Sequence, residues 1–320
     1  MIRPDWDTNA GTFAANNLAK HLQSIQTEMD GVLLNKDVEP VHRMRVSSRR
    51  LRNALETFSF CFSEKYSNRM INNIKKMAAS LGNARDADVQ ILNTKKYIAE
   101  IDDRIYAPGL RRVLLRLRQR RLALQNKVIH SIELLTKFGD LEEFSQKLFQ
   151  LNRPDPSFPL FSMPLYRLGW ENIMLRLQSF LSFEIFISDL ENVDELHTMR
   201  IASKNLRYSL EIFAPIYTGE LKPFLDATRQ TQELLGIIHD SIVWQAYLTN
   251  FLDKEKIRAI KFYGTPRGIP PLEPGINYLL QKYTGERLDN YNIFCNSWRD
   301  WKDSGLWQSL VETIKTPIIN

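Results

Sequence analysis

One segment occurs twice in this chain of 320 residues, and the repetition constrains the fold more than any other feature. Val41–Phe58 reads VHRMRVSSRRLRNALETF, and Leu196–Phe213 reads LHTMRIASKNLRYSLEIF. At an offset of 155, 9 of these 18 positions are identical. A segment kept at this level within one chain predicts two copies of one structural unit.

Shorter motifs follow the repeated segment in the same order. Residues 81–86 read LGNARD and residues 235–240 read LGIIHD, at an offset of 154. A Pro-Gly pair then occurs at 108–109 and at 274–275, at an offset of 166. The larger last offset predicts an insertion of about 12 residues in the second half, from the difference between 166 and 154.

The spacing of apolar residues is helical almost throughout, and the chain has only 13 glycines. Residues 110–135 are predicted as one long helix. Four prolines make Asn152–Pro164 the clearest linker, and Tyr263–Pro274 is a second irregular stretch. We therefore predict an all-α protein with roughly four long helices in each half, enough to enclose a bundle core. The predicted units are a first helical bundle at 1–152, a Pro-rich linker at 153–164 and a second helical bundle at 165–320.

Charge is distributed unevenly between the halves. The whole chain carries +6, but residues 1–155 contain 26 basic and 18 acidic residues, and the remainder contains 17 and 19. The first half is therefore at +8 and the second at −2, which favours an anionic partner for the first half. Two cysteines fit a reducing compartment, and neither a signal peptide nor a membrane span is recognisable. We predict a cytoplasmic protein that does not enter membranes.

The basic residues of the repeated segment lie on one helical face, here called a stripe. At about 100° per residue, four of them fall within a sector of about 80°. The first stripe consists of His42, Arg45, Arg49 and Arg52, and the second consists of His197, Arg200, Lys204 and Arg207. Apolar residues occupy the opposite face in both copies. Basic residues outside the stripe are not kept, since Thr198 and Asn205 replace Arg43 and Arg50.

Like charges on one helical face repel each other, so a stripe of this kind requires an anion. The planar guanidinium group suits phosphate oxygens particularly well. Asn192, three residues before Glu195, predicts a capping box, and Asp37 stands at the matching place before Pro40. This capping would place both histidines of the stripes in first turns, where backbone amides favour an anion.

Further basic positions recur outside the stripes. Lys75 aligns with Arg229, and Arg85 aligns with His239. We expect Asp86 and Asp240 to orient stripe arginines. Within the basic run of the long helix, Arg112 and Arg116 are four residues apart and are predicted to share a surface with the stripes.

The two His-x-x-Arg segments, each followed by Leu-Gly-x-x-[Arg/His]-Asp, resemble the CHAD family, the conserved histidine α-helical domain. The resemblance implies two four-helix bundles related by a pseudo-two-fold axis, with the stripes facing a basic central groove or pore. It also implies binding of inorganic polyphosphate and association with polyphosphate granules. The second copy departs from the pattern at Asn205, His239 and Ile242, so its half of the site is expected to bind more weakly.

Two alternatives remain open at the level of sequence. One is a nucleic-acid-binding helical protein, although no aromatic residues are interleaved with the repeated motif to stack bases. The other is a histidine phosphotransfer protein with His42 as phosphoacceptor, or a phosphohydrolase accessory. Neither a catalytic constellation nor a metal-ligand cluster is recognisable, so we expect no enzyme activity, no cofactor and no metal. Granule-associated proteins are further expected partners.

Overall fold

The structure is a computed structural model that describes residues 8–137, 139–157 and 161–315. Within these ranges it contains α-helices and short 3₁₀ turns and no β-strand, which confirms the all-α prediction. The helices are α1 (Thr8–Leu34), α2 (Glu39–Thr57), α3 (Glu64–Glu100), α4 (Ala107–Lys137), α5 (Asp140–Leu151), α6 (Met163–Leu181), α7 (Val193–Phe213), α8 (Lys222–Thr249), α9 (Phe251–Tyr263), α10 (Glu273–Asp303) and α11 (Leu306–Lys315).

The connection between the halves is slightly shorter than predicted. Helix α5 ends at Leu151 and α6 begins at Met163, so Pro164 lies in the first turn of α6 and not in the linker. Proline fits the first turn because its missing N–H has no partner there in any helix. Residues 158–160 of the predicted linker lie outside the described residues. The division into two bundles stays a prediction.

The predicted insertion lies in a part of the second half that contains α9 and an irregular loop. In the first half, α3 is 37 residues long, and a short connection at 101–106, which ends in the 3₁₀ turn Arg104–Tyr106, leads into α4. In the second half, α8 is followed by α9, whose C-cap residue is Gly264 with a left-handed φ of 70°. Another 3₁₀ turn, Pro270–Leu272, leads into α10. The extra residues therefore give the second half a surface that the first half lacks.

Neighbouring helices pack in the same order in both halves. Helix α2 packs between α1 and α3, and α3 packs on α4; α7 packs between α6 and α8, and α8 packs on α10. The apolar faces predicted for the repeated segments are buried. The fully enclosed side chains are Met44, Leu51 and Leu55 on α2, Phe58 directly after it, and Met199, Leu206, Leu210 and Phe213 on α7. One cluster of buried apolar side chains extends through both halves.

Residues at equivalent positions of the two copies contact each other. The rings of Phe58 and Phe213 lie edge to face with centroids 6.3 Å apart. The two Pro-Gly motifs also meet, because a Cβ atom at Gly109 would lie 2.9 Å from the Cα atom of Gly275. Contacts between equivalent residues are the pattern that a two-fold axis generates. The repeated segments therefore lie side by side in the middle of the molecule.

Candidate functional site

The helices that carry the stripes, α2 and α7, lie against each other. Arg50 of α2 donates two hydrogen bonds to the Glu211 carboxylate of α7, at 2.8 Å from Nε and 3.0 Å from Nη2. Glu211 also accepts a hydrogen bond from Arg207, four residues earlier on α7, at 3.1 Å. Arg50, which lies outside the stripe, thus links the two copies through a bidentate ion pair.

The basic side chains of the two stripes are close enough to influence one another's pKa. Burial lowers the pKa of Lys204 to about 8, and four guanidinium groups act in the same direction: those of Arg49, Arg200, Arg52 and Arg45. Three of these four arginines belong to the first stripe, whereas Lys204 belongs to the second. Because nearby like charges disfavour the charged form of a lysine, both stripes contribute to one positive region.

Arg49 lies in the same region and contacts an aromatic ring of the other copy. Burial lowers its pKa; Tyr208 opposes this effect, and three stripe arginines add to it. The Cζ atoms of Arg49 and Arg207 each lie 5.8 Å from the ring centroid of Tyr208, within the range of a cation–π interaction. The sequence repeat does not indicate a role for Tyr208, because the first copy has Asn53 at the equivalent position.

The glycine of each Leu-Gly motif lies directly beneath a stripe arginine. A Cβ atom at Gly82 would lie 3.4 Å from Nε of Arg45, and a Cβ atom at Gly236 would lie 3.3 Å from Nε of Arg200. A larger residue at either position would push the guanidinium group outward. The recurrence of this motif therefore reflects the close approach of an arginine side chain to a helix backbone.

Carboxylates near the stripes neutralise only part of the positive charge that the stripes carry. The Nη2 atom of Arg45 is 3.8 Å from Asp86, and Nε of Arg52 is 3.6 Å from Glu56. By contrast, Arg43, outside the stripe, is only 2.6 Å from Glu28. No carboxylate of the described residues lies within 4.0 Å of a basic nitrogen of Arg49, Arg200 or Lys204. The region between α2 and α7 therefore retains a surplus of positive charge.

Residues 16–249 match the family model described as the CHAD domain. This chain belongs to the CHAD domain family. The resemblance noted from the repeated motif is thereby confirmed.

Two solved structures are similar in fold to this chain. The crystal structure of the CHAD domain from the plant Ricinus communis has 23% sequence identity and a TM-score of 0.66, with 90% of each chain covered. PptA from Streptomyces chartreusis has 14% identity and a TM-score of 0.56, with 90% of this chain and 99% of that chain covered. At these identities the likeness shows the fold. No curated protein matches the sequence.

Three histidines at the stripes of this CHAD domain have lowered pKa values. Burial is the main cause for His42, His197 and His239; Arg85 adds to it for His42 and Arg200 for His239. The rings of His197 and His239 are stacked, with centroids 3.9 Å apart. One ring nitrogen of each of these three histidines, Nδ1, is buried without a hydrogen-bond partner among the described residues.

The predicted capping of the two stripe helices is partly wrong. Asn192 does not cap α7, because its side chain instead donates a hydrogen bond to the carbonyl oxygen of Phe186 at 3.0 Å. Asp37 does accept a hydrogen bond from the backbone N–H of Glu39, at 3.3 Å. The backbone N–H of His42 donates to Val38 O at 3.3 Å, so it is not free to bind an anion.

The remaining predicted positions on α3 and α8 differ in their surroundings. Arg85 lies near His42 and is 3.7 Å from Glu39, while His239 stacks on the second stripe. Lys75 is exposed on α3, and Arg229 pairs with Asp226 on its own helix at 3.6 Å. In the described part of the chain, no hydrogen bond or ion pair joins Lys75 or Arg229 to a stripe residue. Their role stays a prediction.

Arg112 and Arg116 do not join the stripes as predicted. Their guanidinium groups are bound to Glu255 of α9, at 2.8 Å and 2.7 Å. Glu255 lies roughly 140 residues away in sequence, so the spacing of the arginines gave no sign of this partner. The two arginines that were predicted to share a surface with the stripes therefore belong to a second basic cluster, around Glu255.

Within residues 8–137, 139–157 and 161–315, no group of three or more His, Cys, Asp or Glu side chains is arranged to hold a metal ion. No helix in these ranges has the length and apolar character needed to cross a membrane.

Proposed function

We propose that this CHAD domain binds inorganic polyphosphate in a basic groove between α2 and α7. The observation that carries the proposal is the environment of Lys204, whose pKa is lowered to about 8 by burial and by arginines of both stripes. Holding these charges together is unfavourable in the free chain, and few carboxylates offset them. Polyphosphate carries a negative charge on every unit, so it would neutralise the whole region at once.

In this proposal the chain forms two four-helix bundles that are related by a pseudo-two-fold axis and share the groove. The contact between Phe58 and Phe213 and the meeting of Gly109 with Gly275 support such an axis. Ligand contacts come from both copies, with Lys75 and Arg229 at the rim: His42, Arg45, Arg49, Arg52 and Arg85 from the first copy, and His197, Arg200, Lys204, Arg207 and His239 from the second.

Phosphate groups without bases fit this region better than nucleic acid does. Bases need exposed aromatic faces on which to stack. The aromatic ring found at the stripes, Tyr208, is 5% exposed and already lies near the guanidinium groups of Arg49 and Arg207. The arginines instead present planar forks, which suit phosphate oxygens.

We propose further that binding occurs without catalysis. Phosphoryl transfer assisted by Mg²⁺ needs carboxylates free to hold the ion. Asp86 is 3.8 Å from Arg45, and Asp240 is subject to the charges of Arg200 and Arg45, so both acids serve the stripes. The proposed place of action is the cytoplasm, at polyphosphate granules and together with granule-associated proteins.

Competition for the groove tests this proposal. Labelled long-chain polyphosphate is bound to the full chain, and unlabelled polyphosphate, triphosphate or duplex DNA of equal total charge is titrated in. We expect polyphosphate to displace the label at far lower concentration than DNA, and affinity to fall steeply with salt because counter-ions are released. Equal displacement by DNA at physiological salt would leave only a generic basic surface. Release of phosphate that requires His42 or His197 would restore the enzyme alternative.

A further inference from the structure

A second basic cluster lies on α4 and α9, where three arginines surround one carboxylate. Arg112, Arg116 and Arg258 all donate hydrogen bonds to Glu255, whose side chain is fully buried. Burial raises the pKa of Glu255, but the hydrogen bonds from these arginines outweigh it and hold the pKa at about 2. Three positive charges against one negative charge leave a surplus of two at this place.

Glu255 does not occupy the full hydrogen-bonding capacity of the arginines in this cluster. The side chains of Arg112 and Arg258 are 39% and 44% exposed, and each donates to Glu255 through Nη1, whereas Arg116 donates through Nε and Nη2 to Glu255 and through Nη1 to Gln119. All three line a cavity of about 510 Å³ between α4, α9 and the loop that follows α9. A guanidinium group that is already oriented by one carboxylate loses little entropy when it binds a second anion.

Two large aromatic side chains line the same cavity and are mostly exposed. Phe262 is 75% exposed and Tyr263 is 81% exposed, at the end of α9. Neither ring is covered by the fold, although exposed aromatic faces of this size are costly in water.

We propose that this surface binds single-stranded nucleic acid, with phosphates on Arg112 and Arg258 and unpaired bases stacked on Phe262 and Tyr263. Cationic side chains next to exposed aromatic faces are the combination that single-strand binding uses. An acidic peptide would satisfy the arginines but would leave the two rings without a planar partner. A duplex would offer phosphates but no unpaired base. The proposal does not depend on polyphosphate binding, because these residues are separate from the stripes.

Fluorescence anisotropy with a labelled oligothymidylate of about 20 nucleotides tests the proposal on the full chain. We expect Phe262→Ala and Tyr263→Ala each to weaken binding at least about fivefold, which corresponds to the loss of one stacked base. Arg258→Gln should weaken it as well. Ile257→Ala and Lys256→Gln, at exposed positions elsewhere on α9, are the matched controls and should leave affinity within about twofold.

Two comparisons separate the proposal from its rivals. Poly-L-glutamate of equal charge should bind more weakly than oligothymidylate and should be insensitive to Phe262→Ala; equal binding of both would mean that an acidic protein fits better. The Arg45→Gln/Arg49→Gln variant should keep its affinity for oligothymidylate. Loss of binding in that variant, with no effect of the aromatic substitutions, would place the single strand on the stripes and overturn the proposal. Circular dichroism verifies that each variant is folded.

Discussion

Gly109 of α4 and Gly275 of α10 meet backbone to backbone, although 166 positions separate them in sequence. A Cβ atom at Gly109 would clash with the carbonyl oxygen of Leu272, and one at Gly275 would clash with that of Tyr106. The two Pro-Gly motifs are thus fixed by each other, since each glycine provides the space for the other helix.

Gly109→Ala should therefore destabilise the fold. Inserting a methyl group where two backbones touch forces the helices apart, at a cost of about 1–3 kcal/mol in the free energy of unfolding. Gly285→Ala is the matched control, because Gly285 lies in α10 with open space around it. There alanine should stabilise the helix by roughly 0.5–1 kcal/mol. Urea unfolding of both variants measures the difference, and equal effects would contradict the role of the contact.

Substitutions on and off the stripe should differ in their effect on polyphosphate binding. Arg49→Gln removes a charge that no described carboxylate neutralises, and should weaken binding by about tenfold or more. Arg43→Gln removes the same charge from the same helix, but Arg43 is paired with Glu28, so the loss should stay within about threefold. Titration calorimetry measures both. Similar losses would show that only net charge matters.

The two stripes should act as one site for a long ligand. Each stripe spans about 15 Å along its helix, so only a long chain engages both, and the second contact benefits from high local concentration. Arg45→Gln/Arg49→Gln and Arg200→Gln/Lys204→Met should each reduce long-chain affinity far more than twofold, with one polyphosphate bound per groove. Triphosphate should bind weakly. Once one of the two double substitutions is present, adding the other should lower the affinity for triphosphate only slightly. Two equal, independent sites in the titration would refute a shared groove.

Binding of polyphosphate should become weaker as pH rises. Burial and neighbouring arginines hold the pKa of Lys204 at about 8, and a polyanion favours its charged form. Affinity should therefore fall as pH rises through 8, where the free chain loses this charge. It should rise below about pH 6.5, because the pKa values of His42, His197 and His239 are lowered in the free chain and bound phosphate raises them.

Calorimetry in two buffers of different ionisation enthalpy should reveal proton uptake on binding. Lys204→Met should remove the alkaline part of this pH dependence and leave the acidic part. An affinity that does not change between about pH 6 and about pH 9 would mean that neither the lysine nor the histidines meet the ligand.

Lys204→Met should also stabilise the free chain. The substitution removes a partly buried charge that faces four arginines, and the free energy of unfolding at pH 7 should rise by about 1 kcal/mol after solvent screening is allowed for. Lys204→Arg keeps the charge and should bring no such gain. Thermal unfolding compares the two, and a destabilised Lys204→Met would show that the ammonium group holds the fold together.

The sequence predicted those features that depend on residues close to one another in the chain. Helical periodicity placed Arg45 and Arg49 on one face and Leu51 on the other, because both facts follow from 3.6 residues per turn. The internal repeat predicted the Leu-Gly motif, though not that Gly82 makes room for Arg45. An internal repeat shows that the same residue occurs at a position in both copies. The reason for that residue is a contact with a distant side chain, which the repeat does not show.

Features that depend on distant partners were missed. Arg112 and Arg116 were assigned to the stripes since nothing near them in sequence marks Glu255, which binds them from α9. Tyr208 was overlooked because its importance comes from Arg49 on another helix. The side chain of Asn192 had a competing acceptor in Phe186 O, so a capping motif did not become a cap.

Phe58 contacts Phe213, its counterpart in the second copy, as a two-fold axis between the copies would require. Such an axis affects the direction in which a bound polyphosphate can lie. The two ends of a linear polyphosphate are chemically identical. A pair of stripes related by the proposed two-fold axis should therefore bind it equally well in either direction. The copies nevertheless differ where Lys204 stands for Arg49 and His239 for Arg85. If polyphosphate binds as proposed, one of its ends should be held by the more strongly charged first copy, and the other end should dissociate first from the second copy.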